Sequence, residues 1–230
     1  ENKLHLNMVC EALKTMKSEK PRAILIDMDI AYDMEAAKCI AQAASENNLR
    51  LTADYDPNMV AAATRSDLEN ISIGSVKVAY DTLKGFEHVS LIENRAGWLH
   101  PNTRVRIVKP AVLPFIIPAY FINLVNGLDE TDLRKINVSW TRAVSLADFS
   151  EERTPKIPIQ DVIAGQLAGL SGKYAFIGVD QDKYDSMSNT RGEIVNGVFI
   201  HQQLTAAYLA LMAEDLNPVE GSMIIFGELE

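Results

Sequence analysis

The sequence has little positive charge. Its 22 lysines and arginines stand against 31 aspartates and glutamates, which leaves a formal net charge of -9 over 230 residues. A nucleic-acid surface gathers Lys and Arg into clusters, and so does a helix that lies on an anionic membrane. No such cluster occurs in this chain, so the charge argues against both kinds of surface. We expect no nucleic-acid partner, and solubility is the simplest reason for the acidity.

Cysteine is also scarce, with Cys10 and Cys39 alone. Both lie in helical patterns, and we interpret them as small buried hydrophobic residues with free thiols; a disulfide between them is the alternative. Neither their spacing nor their neighbours indicate a metal site. His5, His88 and His100 are scattered and form neither a metal cluster nor a nucleophile triad. We therefore predict no metal site, no cofactor and no catalytic residue.

A long uninterrupted hydrophobic run is missing. The longest run, residues 111–125, contains Pro114 and Pro118, so neither a secretory signal nor a membrane-spanning helix is predicted. The first residue is Glu1 rather than methionine, and it already lies in an amphipathic pattern. We therefore expect the chain to be a piece of a longer protein, whose membrane segments this sequence does not show.

Helical and strand patterns alternate along the chain, whose 47% hydrophobic content suits a globular protein. The predicted strands are segments 23–30, 51–55, 72–80, 88–92, 104–107, 135–140 and 173–179. The predicted helices are segments 6–16, 34–44, 56–69, 118–126, 157–164 and 201–212. Residues 180–193 form a polar acidic loop, and residues 194–200 form an extended apolar segment. The alternation predicts an α/β fold in which helices cover both faces of a mixed, mostly parallel central sheet, in a single domain over residues 1–230.

The segment 154–212 carries a family resemblance. Its order is a short helix closed by Gly165, the strand "GKYAFIG", an acidic loop and then "VNGVFIHQQLTAAYLALM". This order resembles the closing segment of the type-2 CHASE domain, the cyclase- and histidine-kinase-associated sensory extracellular domain. The residues in step with the family's pattern are Pro158, Asp161, Val162, Ala164, Gly165, Gly172, Lys173, Gly178, Asp185, Gly197, Val198 and His201.

The upstream half resembles the same family. "KPRAILIDMDIAYD" is similar to an early segment of the family, with Asp27 at its aspartate, and "LPFIIPAYFINLV" is similar to a later helix. "GFEHVSLIENRAGWLHPNTRVRIVKP" matches at Gly85, His88, Val89, Gly97 and either Arg104 or Arg106. Two features depart from the pattern. The family's opening strand and loop are absent, so we expect either a sheet short of its first strand or a chain whose boundaries fall inside that strand. Residues 100–102 replace the usual aspartate-glycine.

The resemblance implies an extracytoplasmic, ligand-sensing input domain of a bacterial transmembrane receptor. Its expected place is the periplasmic part of an inner-membrane protein whose output is an adenylyl cyclase, a histidine kinase or a protein kinase. Its expected partners are an unknown small-molecule or envelope signal and the transmembrane helices of the parent receptor. A homodimer is the default expectation for such a receptor. The domain itself is not expected to be an enzyme.

Seven residues are candidates for ligand binding: Asp27, Asp29, Arg104, Arg106, Asp180, Asp185 and His201. Asp27 and Asp29 flank the end of a predicted strand, where ligands of α/β sheets bind. Arg104 and Arg106 alternate along a strand and fit an anionic ligand or a buried carboxylate, such as that of Asp27. His201 fits a ligand contact or a pH sensor.

Each candidate also has a structural interpretation. The first aspartates cap a backbone or pair with an arginine, the acidic loop is solvated, and His201 hydrogen-bonds the start of its helix.

A phosphohydrolase of the haloacid-dehalogenase type is the alternative. Asp27-Met28-Asp29 follows a hydrophobic strand, and Asp180, Asp182 and Asp185 follow another, so carboxylates at adjacent strand ends could hold Mg²⁺ while Asp27 attacks phosphorus. Ile30-Ala31 stands where that family has glycine-threonine, which weakens the match. A protein-binding scaffold without catalysis is the third interpretation.

Overall fold

The computed structural model describes residues 2–54, 71–74, 79–81, 85–90, 155–167, 169–179, 186–188, 194–202, 205 and 222–227. Four predicted elements lie outside the described residues: helices 56–69 and 118–126 and strands 104–107 and 135–140.

The described strands are β1 (Ala23–Asp29), β2 (Leu51–Asp54), β3 (Ile71–Gly74), β4 (Ala79–Asp81), β5 (Gly85–Ser90), β6 (Lys156–Pro158), β7 (Tyr174–Val179), β8 (Ser186–Ser188), β9 (Ile194–Asn196) and β10 (Ser222–Gly227). The described helices are α1 (Asn2–Thr15), α2 (Met34–Asn47) and α3 (Ile159–Ile163), with a 3-10 turn at Ile30–Tyr32. Residues 197–202 are also helical and are called α4 below.

Six of these strands form one parallel sheet in the order β3-β2-β1-β7-β10-β6. β1 lies inside it between β2 and β7, and its Ile24 is in register with Leu51 on one side and Ala175 on the other. Parallel strands that are buried on both faces are apolar throughout, as the sequence Ala-Ile-Leu-Ile of β1 is. The α/β class is therefore confirmed for the described residues. Two antiparallel pairs, β4-β5 and β8-β9, stand apart from this sheet.

The first three helices cover one face of the sheet. Ile24 and Ile26 of β1 belong to the hydrophobic core that α1, α2 and α3 share, and so do Ala175 and Ile177 of β7. Because side chains alternate along a strand, Leu25 points to the opposite face. Beyond Ile26 the pairing of β1 with β2 is irregular, up to Asp29. The helical contribution to this core is a helically spaced set, followed here by Met16 from the turn after α1: Leu6, Val9, Ala12, Leu13, Ala36, Ala37, Ile40, Ala43, Ala44, Ile159, Val162 and Met16.

The helices on this face are tied to one another by polar contacts. The Asn47 side-chain amide at the end of α2 donates to the Leu13 carbonyl at 2.8 Å. The Thr15 hydroxyl at the end of α1 lies 2.9 Å from the Val162 carbonyl of α3. The first bond satisfies a carbonyl near the end of α1, which has no partner within its own helix. The second adds to the Gly165 N–H, which already donates to the Val162 carbonyl.

A disulfide joins Cys10 of α1 to Cys39 of α2, with the two Cα atoms 5.8 Å apart. The expectation of two free thiols is wrong. Both helical patterns were predicted correctly, but a pattern within each helix does not show that the two cysteines face each other. In the structure the two cysteines do face each other, because α1 and α2 pack together in the same core.

Most predicted strands and helices that fall on described residues agree with the structure within a few residues, and α3 is closed by Gly165 in the expected left-handed conformation, with φ of 84°. Several details differ. Segment 72–80 is divided between β3 and β4, which belong to different sheets. The predicted acidic loop contains β8, and the predicted helix at 157–164 is preceded by β6 and begins at Ile159. β10 was not predicted.

No helix within the described residues is both long and apolar enough to cross a membrane.

Candidate functional site

Asp27 lies near the carboxyl end of the central strand. It follows Ile26, the last β1 residue in register with β7, and the alternation of β1 turns its side chain away from the face covered by α1 and α2. Only 3% of that side chain is exposed. A buried carboxylate needs a charged or hydrogen-bonding partner, because removing an ionised group from water is costly.

Gly178 of β7 allows a helix to approach the sheet closely at this point. A Cβ atom placed on Gly178 would overlap the Cβ of Val198 in α4 and lie 2.8 Å from the Cγ2 of the same residue. Glycine is therefore required here by the close approach of two elements. The same contact places α4 on the face of the sheet opposite to α1, α2 and α3.

His201 lies three residues after Val198, so both side chains project from the same side of α4. Its Nε2 atom is 3.3 Å from Oδ1 of Asp27, and 4% of the imidazole side chain is exposed. The contact is an ion pair when the imidazole is protonated. It links the central strand to α4, two elements that are far apart in the sequence.

The pair lies among other buried polar groups of the same region. Asn196, Gln202 and Thr205 are 9%, 0% and 0% exposed. The Thr205 hydroxyl donates to the backbone carbonyl of His201 at 2.8 Å, a bond to the preceding helical turn. Each buried polar side chain needs a hydrogen-bond partner, which restricts how β9 and α4 can be arranged.

Two of the seven candidate residues are thus brought together, Asp27 and His201. His201 is one partner of Asp27; the arginines expected near Asp27, Arg104 and Arg106, lie outside the described residues. The expectation that His201 opens its helix is also wrong: the helix begins at residue 197, because the extended segment ends at Asn196. His201 lies in the second turn, where its side chain reaches the sheet.

Asp29 is the third described candidate. It lies two residues beyond Asp27 in β1, is partly buried, and pairs in register with Asp54 of β2 after an irregularity that begins at Ile26. The other four candidates, Arg104, Arg106, Asp180 and Asp185, lie outside the described residues.

One further cluster of ligand-type side chains was not anticipated. Cys10, Glu11 and Cys39 have ligand atoms within 4.8 Å of one another. The disulfide already engages both sulfur atoms, and metals bind the thiolate form of cysteine. While the disulfide is intact, the cluster can therefore offer a metal at most the exposed carboxylate of Glu11.

Comparisons with known proteins give no relative: no protein-family model, no curated protein and no solved structure matches this chain significantly.

Proposed function

We propose that this chain is the extracytoplasmic, ligand-sensing input domain of a bacterial transmembrane receptor, of the type-2 CHASE kind. The observation that carries the proposal is the contact between Asp27 and His201. Asp27 belongs to "KPRAILIDMDIAYD" and His201 to "VNGVFIHQQLTAAYLALM", two separate segments that each resemble that family. If both segments resemble the family because they share its fold, residues matched in the two segments are expected to contact each other, as Asp27 and His201 do.

The disulfide between Cys10 and Cys39 supports a location outside the cytoplasm. Disulfides persist in the periplasm and other oxidising compartments, whereas cytoplasmic thiols of most bacteria are kept reduced. The proposed place is therefore the periplasmic side of an inner-membrane protein, with spanning helices and a cyclase or kinase output in the parent chain.

A sensor needs two arrangements whose relative free energy a signal can change. In the proposed full architecture, helices cover both faces of a mostly parallel sheet over the single domain 1–230. The contact between β1 and α4 is then the natural place for such a rearrangement, because it joins the sheet to the helix that follows the acidic loop. The proposed ligand lies at the carboxyl edge of the sheet, near Asp29, with Arg104, Arg106, Asp180 and Asp185 as further contacts.

The phosphohydrolase is the second candidate. The adjacency of β1 and β7 favours it, because parallel neighbours bring their carboxyl ends, and the carboxylates that follow them, to one edge. The burial of Asp27 disfavours it, since a nucleophile that attacks phosphorus must face the substrate. We therefore place the sensor first.

The deciding experiment determines the full reading frame and its membrane topology. Reporter fusions that are active only in the periplasm or only in the cytoplasm are placed within this domain and after each predicted spanning segment. We expect this domain on the periplasmic side and a cyclase or kinase on the cytoplasmic side. A parent chain without any spanning segment would contradict the receptor, and Mg²⁺-dependent phosphatase activity that Asp27→Asn abolishes would establish the enzyme instead.

A further inference from the structure

A small cavity of about 10 Å³ lies between α1 and the carboxyl ends of β1 and β7. It is on the face of the sheet opposite to the pair of Asp27 and His201. Three of its lining residues carry a nitrogen or sulfur donor, namely His5, Met8 and Met28, and its walls include the apolar side chains of Ile159, Ile177 and Val179. The cavity is about the size that holds one water molecule or one ion.

The three donor residues come from α1 and β1, and their positions on these two elements explain why they line the same cavity. His5 and Met8 are three residues apart on α1 and therefore share one face of the helix. Met28 lies where the pairing of β1 with β2 is irregular, and its side chain packs against the core that α1 shares, which places it on the α1 side of the sheet. His5 is 5% exposed, and both methionines are packed against the hydrophobic core.

We propose that His5, Met8 and Met28 bind a soft monovalent cation, of which Cu(I) is the biological example. Thioether sulfur selects soft metals, and imidazole also binds copper. None of the described residues that line the cavity is a carboxylate, so a hard divalent ion such as Mg²⁺ lacks the oxygen ligands it requires. A monovalent ion also costs less than a divalent ion to bury among neutral donors, because the desolvation penalty grows with charge.

The cysteines strengthen this assignment. The chain has two cysteines, and both are consumed in the disulfide. While that bond is intact, no thiolate competes for the metal, and the strongest soft donors left are methionine and histidine. The inference is independent of the proposed sensory role, because a metal can bind whether or not the parent chain transmits a signal.

The test uses Ag(I), which matches Cu(I) in charge and softness and requires no reductant that would open the disulfide. The full chain is titrated with silver nitrate in chloride-free buffer and followed by calorimetry and by NMR of labelled methionine methyl groups. We expect one saturable site, with the methyl signals of Met8 and Met28 shifted at the first equivalent. The Met34 methyl signal should not move, because Met34 packs against the same core but does not line the cavity.

Two variants complete the test. Met8→Leu/Met28→Leu conserves volume and should weaken Ag(I) binding by roughly tenfold or more, whereas the matched control Met34→Leu should bind as the unchanged chain does. Absence of Ag(I) binding, or equal binding by the double variant, would overturn the proposal. If the double variant does not fold, the methyl spectra of the unchanged chain decide alone: a first-equivalent shift that spares Met8 and Met28 rejects the site.

Discussion

At the scale of single residues, the pair of Asp27 and His201 specifies structure more than it adds stability. Bringing a carboxylate and an imidazole to 3–4% exposure removes both from water, and their attraction repays that cost only in part. Removing one partner is different, because the other is then left buried without its counterpart. The pair therefore favours the arrangement in which α4 lies on the central strand over packings that separate them.

The first prediction is an energetic coupling between these two residues. Asp27→Asn and His201→Gln should each lower the free energy of unfolding by about 2–4 kcal/mol. The loss in the double variant should be smaller than the sum of the two single losses, by at least ~1 kcal/mol. Urea unfolding of the four proteins measures this. Asp29→Asn is the matched control, since Asp29 is the next aspartate of β1; its effect should be additive with that of His201→Gln. Strict additivity of Asp27→Asn and His201→Gln would show that the contact carries no energy.

The second prediction concerns Gly178, where the backbone does not require glycine but the neighbouring helix does. Gly178→Ala should destabilise the fold by about 1–3 kcal/mol, because the new Cβ would overlap the side chain of Val198. In a Val198→Gly background the clash is gone, so the same Gly178→Ala substitution should be neutral or stabilising by up to about 1 kcal/mol. Denaturant midpoints of the four chains decide, and an equal cost in both backgrounds would refute the steric argument.

At the scale of elements, the layer of α1, α2 and α3 is held by a covalent bond as well as by its core. The disulfide joins residues that are 29 positions apart, from Cys10 in α1 to Cys39 in α2. The loop that it closes contains β1 and the first half of α2, so the bond restricts the unfolded chain around the centre of the sheet.

The third prediction follows from that loop length. Reduction should lower the free energy of unfolding by roughly 3–4 kcal/mol, through the loop-closure entropy that the unfolded chain regains. Urea unfolding with and without a phosphine reductant measures the loss, and thiol counting should give no free thiol before reduction and two after it. Cys10→Ala/Cys39→Ala is the control and should not respond to the reductant. If the reductant did not change the free energy of unfolding of the unchanged chain, the disulfide would contribute nothing to stability.

Elements were predictable from the sequence where periodicity was strong. α1, α2, β1 and β7 have either a helical apolar spacing or a short buried run, and the structure places them within a few residues of expectation. The split of segment 72–80 was not predictable, because an alternating pattern does not say with which strand it pairs. β10 contains the apolar run Met223 to Phe226, which was a usable signal, but its place between β7 and β6 depends on crossovers that leave no local mark.

At the scale of the whole molecule, the residues of the site could be chosen from the sequence but their pairing could not. Asp27 was recognisable as an acid at the end of a buried strand, and His201 as a histidine where an extended segment was expected to meet a helix. Their contact depends on three facts that are not local: β7 adjoins β1, Gly178 leaves room, and α4 begins four residues before His201. The cavity with His5, Met8 and Met28 was missed for the same reason, because its donors come from different elements.

The last described strand at one side of the sheet, β6, restricts how copies of this molecule can associate. It is three residues long, begins with Lys156, ends with Pro158 and is preceded by Pro155. A proline has no backbone N–H to donate, and a lysine at an edge discourages a neighbouring strand. Growth of the sheet from one copy into the next is therefore blocked along β6. A homodimer that extends the sheet through β6 is therefore disfavoured, and so is fibre growth from that strand.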